Sequence, residues 1–204
     1  MWQSKETKIT VSVWAVVLLA VFVICTSPIV LAAVILAALC HEWGHYGILR
    51  ACGAKVEEIR ISVYGAQIRL ATRPILSYGR EMLAALAGPA VNILLALLLT
   101  RWGERSELFY ILSGAQVVLG GFNLLPLRPL DGGNALWLAL AWGSDPVMAD
   151  RVMHCVEGVM YVLLAGAALW IWQQTGSPFL LLAVSGLWKK EWMEKKLVKR
   201  GKRS

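Results

Sequence analysis

The sequence predicts an all-α polytopic membrane protein of about six transmembrane helices, with a short membrane-associated β-hairpin between the second and third. Three observations carry that expectation. Of 204 residues, 58% are hydrophobic and only 16% charged, against about a quarter charged in an ordinary soluble domain. The charge is also excluded from runs, since residues 9–25 and 28–40 contain no Asp, Glu, Lys or Arg. A bilayer core about 30 Å thick takes about 20 residues of helix, so the chain has room for six spans and little else.

The first apolar run, Ile9 to Cys25, follows Lys5 and Lys8. A basic start and an apolar stretch also describe a signal peptide. No small-x-small cleavage site follows at Cys25-Thr26-Ser27-Pro28, and a second span begins at once, so an uncleaved helix is expected. Ser27-Pro28 supplies an N-cap and a first-turn proline for a second helix running to about Arg50. A third helix is expected from about Glu81 to Thr100 and a fourth from Glu107 to Leu125. Asp145-Pro146 and Ser177-Pro178 open a fifth, to Gln173, and a sixth, to about Trp192.

Between the second and third spans the pattern changes. From Val56 to Ala71 the chain alternates Ile59, Ile61 and Val63 with Arg60, Ser62 and Tyr64, pauses at Gly65, and resumes with Ile68 and Leu70. That period of two predicts two short strands with a turn or bulge at Gly65. A lone hairpin is marginal in water, so a supporting or partner strand is expected.

Six spans place both termini on one side. With the termini in the cytoplasm, 18 of the 20 Lys and Arg residues fall on the inner side, and only Arg101 and Arg105 fall outside. That is the positive-inside pattern, and it accounts for the net charge of +7 better than nucleic-acid binding does. The expected location is therefore the cell membrane, multi-pass, with both termini cytoplasmic. Trp102, Trp170 and Trp172 near the outer ends, with Trp188 and Trp192 near the inner end, suit interfacial belts. The four cysteines (Cys25, Cys40, Cys52, Cys155) show no paired spacing and read as small buried hydrophobes.

The chemistry concentrates at His41-Glu42-Trp43-Gly44-His45. On a helix, positions i and i+4 lie about 40° apart, so both imidazoles face one way and can share a metal. Glu42 sits beside them, where a carboxylate can take a proton from water. Two of the chain's three histidines lie in an otherwise apolar helix, where ionisable groups are costly and functional. Thirteen residues separate Pro28 from His41, roughly 20 Å of rise, which places the pair inside the bilayer nearer the cytoplasmic face. A catalytic zinc takes a third protein ligand. Asp131, in Asn-Leu-Leu-Pro-Leu-Arg-Pro-Leu-Asp-Gly-Gly over 123–133, is preferred because its prolines and glycines break helix at matching depth. His154, near the cytoplasmic start of the fifth helix, is the rival.

The HEWGH string in an apolar helix, with a distal Asn-x-x-Pro-x-x-Pro-Leu-Asp-Gly-Gly, resembles the site-2 protease family of intramembrane zinc metalloproteases. Ala87-Gly88-Pro89-Ala90-Val91-Asn92 is similar to the Gly-Pro-x-x-Asn motif that the family carries between them. The three motifs cover residues 28–135. The layout is most similar to the compact branch typified by stage IV sporulation protein FB, which processes a pro-sigma factor, and that resemblance implies a bacterial plasma membrane. The resemblance implies a single membrane-embedded domain over 1–204, with its core in 28–135 and a Lys/Arg-rich cytoplasmic tail over 193–204. No PDZ or CBS domain is expected.

It further implies one zinc per chain held by His41, His45 and Asp131, with Glu42 as general base and then general acid. The expected activity is cleavage of membrane-associated or transmembrane proteins near the cytoplasmic face, such as a pro-sigma factor or another membrane-tethered regulator, with a regulatory membrane partner. Asn92, Asn123 and Gly65 are candidates for positioning substrate, the two asparagines having interhelical packing as their plainer role. A helical peptide bond is shielded by its own hydrogen bonds, so the hairpin edge is expected to hold an unwound substrate strand. A metal-binding adaptor without activity and a metal-ion transporter are the other classes. The intact Glu42 argues against the first, and a single site at one depth against the second.

Overall fold

The protein is described by a computed structural model covering residues 8–11, 26–53, 55–62, 65–72, 77–103 and 106–176. In chain order these form strand β1 (Lys8–Val11), helix α1 (Pro28–Ala51), strands β2 (Lys55–Ser62) and β3 (Gly65–Thr72), and helices α2 (Tyr78–Gly103), α3 (Glu107–Asn123), α4 (Asp131–Gly143) and α5 (Pro146–Thr175). They divide into two compact units, Met1–Asn123 and Leu124–Ser204.

In the first unit, α1, α2 and α3 pack against one another. α1 starts where expected: Ser27 Oγ accepts from Val30 N at 3.4 Å, with Pro28 in the first turn. It stops at Gly53, whose φ of 81° is the left-handed geometry that ends a helix most cheaply at glycine. The buried residues are small or polar: Ala33 and Ala37 on α1, Ala84, Ala85, Gly88, Asn92 and Ala96 on α2, Ser113, Gln116 and Gly120 on α3. The large apolar side chains, among them Leu94, Leu97, Leu98 and Val118, face outward. In water this arrangement would be inside out. In lipid, where hydrocarbon surrounds the helices, small residues let backbones approach and polar side chains join helices. Gly44 shows the closeness, since a Cβ there would stand 2.6 Å from the Ala87 carbonyl oxygen.

The expectation of about six spans is corrected. Among the described residues there are five helices, of which α1, α2 and α5 are long and apolar enough to cross a membrane. The apolar run at Ile9 does not begin as a helix: Lys8–Val11 is a strand running parallel to β2, with Ile9 opposite Ile59. A short apolar stretch cannot be told from strand by hydrophobicity alone, and Ile-Thr-Val is a run of β-branched residues. Residues 12–25 and the expected sixth span, 178–192, lie outside the described residues, as does the tail at 193–204.

The all-α class with a two-stranded hairpin is corrected as well. β2 and β3 pair antiparallel, with Ile59 opposite Ile68 and Ser62 opposite Gly65, inside a three-stranded sheet of order β1-β2-β3. β2 is its central strand. The third strand supplies the support that two strands in water lack.

The second unit holds the segment Leu124–Leu130, α4 and α5, with α4 packed on α5. α4 has no counterpart in the expected helices. Asp131-Gly132-Gly133 reads as a helix breaker, yet all three residues open the helix. The glycines are there for contact: a Cβ at Gly132 would collide with the Leu124 carbonyl, and one at Gly133 with the backbone of Leu127. α5 begins at Asp145-Pro146 and ends at Gly176, with φ of 68° and its N–H donated to Trp172 O at 2.8 Å.

Candidate metal centre

α1 carries His41, Glu42 and His45; His41 is buried, Glu42 and His45 half-buried. The orientation of each imidazole is set by a partner on α2. His41 Nδ1 lies 2.6 Å from Asn92 Oδ1. The Asn92 amide cannot be turned the other way round, because its Nδ2 donates to Ala37 O at 3.0 Å and to Gln116 Oε1. Its oxygen therefore faces His41, and Nδ1 of that ring must donate. His45 Nδ1 lies 2.7 Å from Ala84 O, which only accepts, so this ring donates through Nδ1 too.

In the neutral imidazoles both Nε2 atoms then carry lone pairs, and they approach each other at 3.1 Å. The rings stand edge to face, with centroids 4.8 Å apart. Two lone pairs aimed at one point repel unless an electron-pair acceptor stands between them. The spacing fits that role, since two nitrogens each about 2.0–2.1 Å from one tetrahedral zinc are separated by about 3.3 Å. Backing each ligand through its other nitrogen is the usual support of a metal-bound histidine. Gly88 lies directly under the pair: a Cβ there would strike the His45 ring and come within 2.9 Å of His41 Cε1.

Asp131 is the first residue of α4 and half-buried. With His41 and His45 it makes up a donor set of the kind that could hold a metal ion. Of the other residues singled out in the sequence, Asn92 is fully buried and supports His41. Asn123 closes α3 and donates from Nδ2 to Leu119 O, four residues back on its own helix, at 3.1 Å. Gly65 opens β3 opposite Ser62. His154 is exposed on α5, where Nδ1 donates to Asp150 O at 2.6 Å.

Two polar residues were not singled out. Gln116, 2% exposed on α3, fixes the Asn92 amide. Glu157, 2% exposed on α5, accepts from the N–H of Arg128 at 3.1 Å. Each is a polar group in an apolar helix, the same signal that marked His41.

No family model matches the chain. Over 130 residues it is 28% identical to zinc metalloprotease MJ0392 of Methanocaldococcus jannaschii, a match covering 60% of this chain and 34% of that one. A relative from Synechocystis sp., sll0528, whose name is also that of a zinc metalloprotease, is 33% identical over 107 residues, 49% of this chain and 28% of its own length. The chain thus spans about a third of the length of the curated relatives it matches. Among solved structures, the site-2 protease from Methanocaldococcus jannaschii superposes with a TM-score of 0.65 at 20% identity, covering 92% of this chain and 90% of that one. The backbone thus has the fold of the site-2 protease from Methanocaldococcus jannaschii, and the relatives it resembles in sequence are named zinc metalloproteases.

Proposed function

We propose that this chain is an intramembrane zinc metalloprotease that hydrolyses peptide bonds of membrane-associated proteins. The observation that carries this reading is the convergence of the two Nε2 atoms at 3.1 Å, each imidazole backed through Nδ1. The zinc metalloprotease relatives and the site-2 protease fold support it.

In this reading His41, His45 and Asp131 hold one zinc ion. Bound zinc supplies Lewis-acid polarisation of the scissile carbonyl and acidifies a water. Glu42 takes the proton of the attacking water and returns it to the leaving amine nitrogen. Asn92 keeps His41 in the tautomer that presents Nε2. The outer edge of β3 receives the unwound substrate strand. Being central, β2 has both edges engaged, and β3, at 8 residues, is a longer edge than β1, at 4. Gly65 lies at the start of that edge. The sheet face, next to Arg50 and Lys55, is the cytoplasmic one by the positive-inside rule, with a bacterial plasma membrane as the setting. β1 brings the N-terminal segment to that same face.

The test is Glu42→Gln. Glutamine keeps the shape of the side chain and cannot accept the proton. Purified in detergent, the variant is expected to retain its zinc and to lose cleavage of a membrane-spanning peptide. Retained turnover would overturn the assignment of Glu42 and favour an activity without a base at this position.

A further inference from the structure

We propose that Glu157, acting through Arg128, is the positioning residue that sets where Asp131 stands. The inference rests on the metal centre proposed above.

Glu157 is buried midway along α5, a 30-residue helix apolar enough to cross a membrane. A carboxylate there is expensive to desolvate, and replacing a buried ion pair by well-packed apolar groups is often neutral or stabilising. Its contacts show what it holds. Oε1 accepts from the main-chain N–H of Arg128 at 3.1 Å and lies 3.4 Å from Arg128 Nε. The same guanidinium donates from Nη2 to Asp150 Oδ1 at 2.9 Å, and that oxygen also accepts from Trp137 Nε1 at 2.9 Å. Asp150 and Glu157, seven residues apart, occupy one face of α5. They grip the segment before α4 through Arg128 and the middle of α4 through Trp137.

The link from this grip to Asp131 is short and stiff. Only Pro129 and Leu130 separate Arg128 from Asp131. The proline ring fixes its own φ, and Leu130 N–H closes a turn onto Leu127 O at 2.8 Å. Leu127 is fully buried, and Gly132 and Gly133 are packed too closely on the Leu124–Leu127 backbone to admit a Cβ. A displacement at Arg128 is therefore passed on to Asp131 instead of being absorbed between them. Glu157 reaches the main chain itself, so it holds the backbone whatever the Arg128 side chain does.

A purely structural ion pair and a positioning residue differ in what they move. The measurement is zinc affinity by chelator competition, with the ligand-field absorption of the cobalt(II)-substituted protein, on the full chain in detergent. Glu157→Gln keeps Oε1 as an acceptor and is expected to keep most of the affinity. Glu157→Leu removes the anchor and is expected to weaken zinc binding by roughly 10- to 100-fold, the effect of losing an outer-shell support, with an altered cobalt spectrum. Glu157→Asp, a carboxylate one methylene shorter, serves should the leucine variant fail to fold, and its expected loss is intermediate with the spectrum altered. Zinc affinity and cobalt spectrum unchanged in Glu157→Asp and in any folded Glu157→Leu would overturn the proposal and leave a structural ion pair. A wild-type chain that binds no zinc would overturn the metal centre itself.

Discussion

His41 and His45 look equivalent in the sequence, four residues apart on one face, but they are supported differently. His45 rests on a main-chain carbonyl, that of Ala84, which no substitution removes. His41 rests on the Asn92 side chain. Asn92→Leu is therefore expected to strip His41 of its fixed tautomer and leave the Ala37 carbonyl and Gln116 without their donor, at about 1–3 kcal/mol for the unsatisfied groups. Zinc affinity measured by chelator competition should fall accordingly. Gly88→Ala tests the same pair sterically. A methyl group there meets both rings, and overpacking of this kind costs about 1–3 kcal/mol, so zinc should be lost while helix content by circular dichroism stays unchanged. The histidines, Glu42 and Asp131 were legible as candidates because spacing and motif carry them. Gln116 and Glu157 carry the signal of a polar group in an apolar helix, but their roles were not legible, because what an amide or carboxylate does depends on which residue another segment brings opposite it. Asp131→Ala and His154→Ala separate the two candidate third ligands. Metal analysis should show loss in the first and little change in the second, whose Nδ1 is already donated to Asp150 O.

Among the elements, α1, α2, α3 and α5 follow the apolar runs closely, and Ser27-Pro28 and Asp145-Pro146 mark the starts of α1 and α5. α4 was illegible for a physical reason. Glycines were read as backbone freedom, whereas Gly132 and Gly133 serve as absent side chains where two segments touch. β1 was illegible because its partner residues lie 50 positions later, and a short β-branched run by itself reads equally as the start of an apolar helix. That parallel pairing also moves the expected substrate edge. Proline substitution along β2 would break the sheet itself. Along β3, from Gly65 to Thr72, successive N–H groups alternate between β2 and the open side. Proline lacks that N–H, so substitutions at every second position should depress peptide cleavage with zinc content constant. Uniform tolerance across β3 would instead assign substrate holding to the helices.

At the largest scale, the first unit's interior of small and polar residues under an apolar exterior fits the membrane protein that composition predicts. The number of spans was not legible there, because apolarity gives the length of a run and not its conformation. Orientation rests on charge, and single cysteines at Lys55 and Arg101, in a background without Cys25, Cys40, Cys52 and Cys155, test it. A membrane-impermeant thiol reagent added to intact cells should label the second position and spare the first. The reverse labelling would invert the proposed orientation.

Asn92 sits on α2, donates to Ala37 of α1 and to Gln116 of α3, and faces His41 of α1. One amide thus closes a circuit through three segments that leave the ribosome in succession. Until Gln116 has been made and α3 has packed against α2, the Asn92 amide lacks one of the two acceptors that lock it, and the His41 tautomer is less firmly selected. The order of synthesis then works as a safety catch: a half-made chain carries both histidines while its grip on them is incomplete, and Asp131, the proposed third ligand, is made later still.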